Sequence, residues 1–333
     1  MTDVRTDPTC TTSAAIAPAP ASAPQRILVF DIVRVIAVMS VVFFHVSKFI
    51  FKAPYTASYG LRGLYWVSIG GAGVTVFIIL SGAVLQHVYG QRDTPYWAFE
   101  IKRLARIYPL YWVSLVATVL MIGIISPYKG GITRLITDIL GIRAVIGATW
   151  DRTDMLSPVT WFIGVIVGLY LLFPLIKRLL VWHPKLTLLA MFVISVAARL
   201  WAYRAFGGFG IHWFIPGRLF EFTLGMWLVA DTDLVQRAET ALRFVGPRAR
   251  AVIGYLSTLA FAVYVMHETC RIWLTTMFDK YSHHFWAIPG STIRSVVWVT
   301  LYLILTWALS EAAFRLAAPI EKAILRLTAR RDR

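Results

Sequence analysis

Cysteine is nearly absent from this chain of 333 residues: only Cys10 and Cys270 occur, far apart and in different surroundings. Such a pair makes neither a disulfide framework nor a metal-binding pattern. Acidic residues are also scarce, 17 Asp and Glu against 33 Lys and Arg, which leaves a net charge of +16. That excess does not point to nucleic acid as a partner, because the basic residues sit beside apolar runs, where membrane proteins carry them. No polar stretch is long enough for a soluble domain. Hydrophobic residues make up 58% of the chain, the composition of a polytopic protein embedded in a lipid bilayer.

Residues 1–26 are rich in Ala, Pro, Thr and Ser and have no apolar period, so they read as a disordered tail. They lack the basic start and apolar core of a signal peptide, and the first apolar segment serves as an uncleaved anchor. A membrane domain over 27–320 and a basic cytoplasmic tail over 321–333 follow. Within the domain, eight segments have the roughly 20 residues a bilayer needs. They are 27–51, 64–89, 104–125, 159–180, 184–203, 209–230, 251–277 and 291–316, giving an all-α helical bundle. The longest connection, 126–158, holds an apolar stretch over 135–148 that reads as a surface or re-entrant helix. With the N-terminus inside, cytoplasmic segments carry about twice the Lys and Arg of outer segments, which places both termini in the cytoplasm.

Arg34 and His45 lie eleven residues apart in the first segment. At about 100° per residue they are only about 20° apart around the helix, and roughly 16 Å apart along it. Asp31 falls near the same stripe. Ionisable groups at such depth face a bundle interior or a water-filled cavity. A neutral imidazole at His45 can take a proton from a hydroxyl. Arg103 and Arg106 share a face at the inner edge of the third segment, and arginine forks suit phosphate groups. Alternatively, the pair only anchors the helix in the cytoplasm.

The glycines of Gly70-Gly71-Ala72-Gly73 and Gly82 read as close-packing positions. Ser81 could act as a nucleophile, but no base lies near it in sequence. Arg218 and Glu221, three residues apart, read as an ion pair. His267 lies about sixteen residues into the seventh segment, at nearly the depth of His45, where it either shares a cavity with it or is satisfied within the bundle. Glu311 is as suited to anchoring as to function, and His283-His284 has no metal-ligand spacing.

Together these motifs resemble the integral-membrane acyltransferase-3 family, bacterial O-acyltransferases of surface glycans. Arg34-x10-His45 is similar to the signature of its first helix, and Gly73-Val74-x-Val76-Phe77-x-x-Leu80-Ser81-Gly82 to that of its second. Arg103-x-x-Arg106-x-x-Pro109, the series Trp161, Tyr170, Pro174, then Arg218-x-x-Glu221-Phe222-x-x-Gly225 and Tyr264-x-x-His267 follow in the family's order. Many members carry a Glu five residues after the tryptophan; here that residue is Ile166, followed by Val167. In this the chain resembles the enterobacterial-common-antigen type of acetyltransferase. Family members often have about ten spans, two more than this chain.

The resemblance implies an acyl-CoA donor, usually acetyl-CoA, a hydroxyl of a glycan or lipid-linked sugar as acceptor, and no metal. It places the CoA phosphates at Arg103 and Arg106, with Arg34 a step deeper, and the thioester at His45, with His267 a candidate oxyanion stabiliser. Direct transfer and a covalent acyl-histidine both remain open, as do a small secreted metabolite as acceptor and a non-enzymatic glycan exporter. The bacterial inner membrane is the expected location.

Overall fold

The computed structural model describes residues 26–51, 69–123, 131–146, 156–157, 159–206, 210–230, 232–281 and 291–331. The proposed tail up to residue 25 and the His283-His284 pair lie outside them. Among the described residues the structure is all-α. The long helices are α1 (Leu28–Phe51), α2 (Ile69–Tyr89), α3 (Tyr96–Ile122), α6 (Thr160–Trp182), α7 (Pro184–Phe206), α11 (Pro247–Tyr281) and α12 (Ser291–Arg331). These seven are long and apolar enough to cross a membrane. On α1 the large residues Ile36, Met39 and Phe43 face outward while Val38, Val41 and Val42 are buried, so apolar side chains cover both faces. A helix that is apolar all round suits a lipid-embedded bundle.

The sixth predicted span, 209–230, is not one helix. It consists of α8 (Gly210–Trp213), a 3₁₀ turn over Ile215–Arg218, and α9 (Leu219–Leu228). Pro216 has no N–H to donate and Gly217 adds backbone freedom, so the helix breaks there. Ser195 of α7 mends the break: its hydroxyl donates to the Pro216 carbonyl at 3.1 Å and accepts from the Phe220 N–H at 2.9 Å. Arg218 lies beside Thr75 near the start of α2, whereas Val229 packs with Ile27 and Phe30 near the start of α1. The broken segment therefore runs alongside α2, towards the Arg26 end of the bundle.

Glycine lets α9 approach α2. A Cβ on Gly225 would lie 1.8 Å from the Ile79 carbonyl oxygen, and one on Gly82 would lie 2.0 Å from that of Phe222. Gly73 packs likewise on Ala37 of α1. One end of the bundle gathers the start of α1, the start of α11 and the later turns of α12. Arg26 donates to the Gly254 carbonyl at 2.8 Å, Tyr255 bonds Glu311, and Arg106 reaches Glu321. The basic segment after 320 continues α12 as far as Arg331.

The connection 126–158 contains α4 (Ile132–Ile139), α5 (Arg143–Ile146) and a tight turn at Gly141 with φ 68°. Three side chains of α3 hold this hairpin: Tyr108, Tyr111 and Trp112 donate to the carbonyls of Leu140, Asp138 and Ile139. Asp138 is buried and pairs with Arg143 at 3.1 Å. Helix α10 (Thr232–Ala241) lies on the Arg26 end, where Glu239 accepts from the Val29 N–H.

Candidate active site

Six helices, α1, α2, α3, α6, α11 and α12, enclose a cavity of about 440 Å³. Its basic end holds Arg26, Arg34, Arg103 and Arg106. Arg34 is fixed rather than free: it donates to Ser257 at 2.7 Å and to Asp31 at 3.3 Å. The Ser257 hydroxyl donates in turn to buried Asp31 at 2.6 Å, and Arg26 pairs with the same carboxylate at 3.2 Å. One carboxylate thus balances two guanidinium groups. Arg103 bonds the Tyr89 hydroxyl at 3.0 Å and lies 5.0 Å from its ring centroid. Its buried Nε has no partner among the described residues. Arg106 is exposed and pairs with Glu321 at 3.6 Å. The basic end therefore has a surplus of positive charge facing an open space, which suits a polyanion.

The opposite end of the cavity is aromatic. Phe77, Phe162 and Tyr264 touch one another, with ring centroids 4.8 to 6.3 Å apart. Behind Tyr264 stand the two histidines. His267 packs 5.8 Å from the Tyr264 ring and 5.0 Å from that of His45. The shared depth inferred from residue counting is thus a direct contact.

His45 Nδ1 lies 3.0 Å from Glu268, and Arg271 grips that carboxylate with two bonds of 2.8 and 2.7 Å. Glu268 is buried and His45 partly so. With Nδ1–H donated to Glu268, the neutral ring of His45 carries its lone pair on Nε2, ready to accept a proton. His267 donates through Nδ1 to the Tyr264 carbonyl at 2.6 Å, and its Nε2 has no partner among the described residues. In its neutral form His267 therefore offers an acceptor, and it can donate from Nε2 only when charged.

The ligand-type atoms of His45, His267 and Glu268 lie within 4.8 Å of one another, as a metal site would need. The guanidinium of Arg271 on the same carboxylate opposes a cation there. The arrangement instead matches a base held in one tautomer by a buried acid.

The remaining residues divide. Ser81 and Tyr170 line the cavity. Glu311 is on the surface side of α12, bonded to Arg315 at 2.6 Å and Tyr255 at 2.8 Å, which is anchoring. Arg218 and Glu221 form the expected pair at 3.2 Å, but with two partners that spacing did not suggest. Arg199 of α7 bonds Glu221, and Arg218 bonds both the carbonyl and the ring of His212. This cluster braces the break between α8 and α9.

The family model for acyltransferase 3, described as an acyltransferase domain, matches residues 27–247. The chain belongs to this family. It is a multi-pass membrane acyltransferase. No curated protein and no solved structure matches it. The matched stretch of this acyltransferase ends where α11 begins, so His267, Glu268 and Arg271 lie beyond it.

Glu268 is the residue that sequence reasoning missed. The signal was present: an acid beside His267 inside an apolar helix, with Arg271 one turn on. Ile166 is buried, and the acid near His45 comes from α11.

Proposed function

We propose that this acyltransferase moves an acyl group, in the first instance acetyl, from acyl-CoA to a hydroxyl of a surface polysaccharide or its lipid-linked precursor in the bacterial inner membrane. One observation carries the reading: a single cavity has a cluster of arginines at its mouth and ends at Tyr264, behind which stand His267 and then His45, held by a carboxylate. Arg103 and Arg106 would bind the CoA phosphates, and Arg34 the inner part of the pyrophosphate or pantetheine arm. The arm would then run towards the aromatic layer of Phe77, Phe162 and Tyr264.

In direct transfer, the acceptor oxygen attacks the thioester carbon while His45 Nε2 removes its proton. The carbon–sulfur bond breaks, and the imidazolium returns the proton to the departing sulfur, releasing CoA as its thiol. Glu268 stabilises the imidazolium through Nδ1. A covalent acyl-histidine would use the same nitrogen, since Nδ1 is occupied.

The test uses membranes containing wild type, His45→Ala or Arg106→Ala at equal protein level, supplied with radiolabelled acetyl-CoA and the host glycan fraction. Wild type should label glycan, His45→Ala should not, and Arg106→Ala should label only at raised donor concentration. Full labelling by His45→Ala would remove it as the base. Absence of labelling by wild type would remove this donor–acceptor pair and favour export or a small-molecule acceptor.

A further inference from the structure

A second cavity, of about 320 Å³, opens at the same end of the bundle between the α2–α3 connection and the last turns of α6. Its cations are Arg92, Lys177 and Arg178, against the single acid Asp93. Lys177 is already committed: its ammonium donates to the carbonyls of Tyr89 and Arg92, each at 2.9 Å, and so holds the turn in place. Arg92 and Arg178 are exposed and make no ion pair among the described residues. Arg178 lies 4.7 Å from the ring centroid of Trp182.

This cavity is walled off from the first. Tyr89 packs on Phe99 at 5.0 Å, and Phe99 stacks on Phe173 at 5.1 Å. Arg103, which serves the first cavity, sits on the Tyr89 ring. The outer flank is apolar and uncovered: Val181 is 71% exposed, Trp182 58% and Leu175 56%. Tryptophan of this kind sits at headgroup level in a bilayer.

We infer that this cavity binds the headgroup of an anionic membrane phospholipid, with Arg92 and Arg178 on the phosphate and one acyl chain along Val181 and Trp182. A phosphate group is the chemistry that two unpaired guanidinium groups recognise. The nucleotide end of CoA carries phosphates too, but it has no use for an exposed apolar flank beside them. Basic pockets between helices at the positively charged end of a bundle are suited to such lipids. The inference does not depend on the identity of the acyl donor or acceptor.

The experiment is native mass spectrometry of the full chain, purified from vesicles of phosphatidylglycerol or of phosphatidylcholine. Wild type should retain phosphatidylglycerol through purification and release phosphatidylcholine. Arg92→Ala/Arg178→Ala should retain about thirtyfold less phosphatidylglycerol, from the loss of two basic contacts. Its melting temperature in neutral detergent should equal that of wild type, since both side chains are exposed, and Arg92→Lys/Arg178→Lys should restore most of the retention. Equal retention by the alanine variant, or none by wild type, would overturn the site. Displacement of the lipid by adenosine 3′,5′-bisphosphate would overturn it as well, and assign the cavity to the nucleotide of CoA.

Discussion

Glu268 and His45 come from α11 and α1 and meet at 3.0 Å, the carboxylate held from its other side by Arg271. The contact fixes which nitrogen of His45 carries a proton and which is free. It also supplies a buried negative charge beside an imidazole that becomes positive during the reaction. Removing that charge costs more than a neutral hydrogen bond would.

Replacing Glu268 by Gln keeps its size and removes its charge. Under the proposed mechanism, kcat falls by about 100-fold or more, while KM for acyl-CoA stays within about twofold, because Glu268 acts only through His45. Glu268→Asp should recover part of the rate. Steady-state kinetics in nanodiscs would check this. An unchanged kcat would show that the carboxylate only braces the helices.

The donor end should behave in the opposite way. Arg106 is exposed at the mouth and has a single weak partner, Glu321. Arg106→Ala should raise KM for acyl-CoA about tenfold and leave kcat nearly unchanged, the loss being about 1.4 kcal/mol of uniform binding. Raising the salt concentration should weaken wild type towards the variant. An equal fall in kcat would place Arg106 in the chemistry instead.

Much of this arrangement was legible in the chain, because helical periodicity converts directly into depth and face. Residue counting put His45 and His267 at nearly one depth and left open whether they meet; in the structure they touch, while Arg34, Arg103 and Arg106 line one cavity. What crosses between helices was not legible. Periodicity says nothing about which helix stands opposite, so Arg199 on Glu221 and His212 on Arg218 were hidden. Glu268 was overlooked for the same reason, since its role depends on His45, more than two hundred residues away. The break at Pro216-Gly217 had a local signal, but the apolar run on either side outweighed it in a reading by length.

The cluster at that break should be necessary for folding. Glu221 is the only acid given to both Arg199 and Arg218 among the described ion pairs, and Arg218 is 2% exposed. Glu221→Gln leaves two guanidinium groups without a counter-charge, one of them fully buried, a loss of about 3–5 kcal/mol. The variant should fail to accumulate as a monodisperse protein in detergent. Normal accumulation and melting would show that the arginines are neutralised from elsewhere.

Backbone contact between α2 and α9 gives a sharper test of the fold, because it depends on single atoms. Gly225→Ala would place a methyl group 1.8 Å from the Ile79 carbonyl, where no side-chain rotation relieves the clash. The helices must move apart, at or above the upper end of the roughly 1–3 kcal/mol typical of overpacking. Gly131 makes the matched control, since a Cβ there meets nothing within 4 Å. Gly225→Ala should lower the melting temperature clearly, and Gly131→Ala should leave it within a degree or so of wild type. Because α9 carries no cavity-lining residue, Gly225→Ala protein that does fold should keep its KM for acyl-CoA. A changed KM would mean that the α2–α9 contact also shapes the donor cavity through Ser81 and Leu80 of α2.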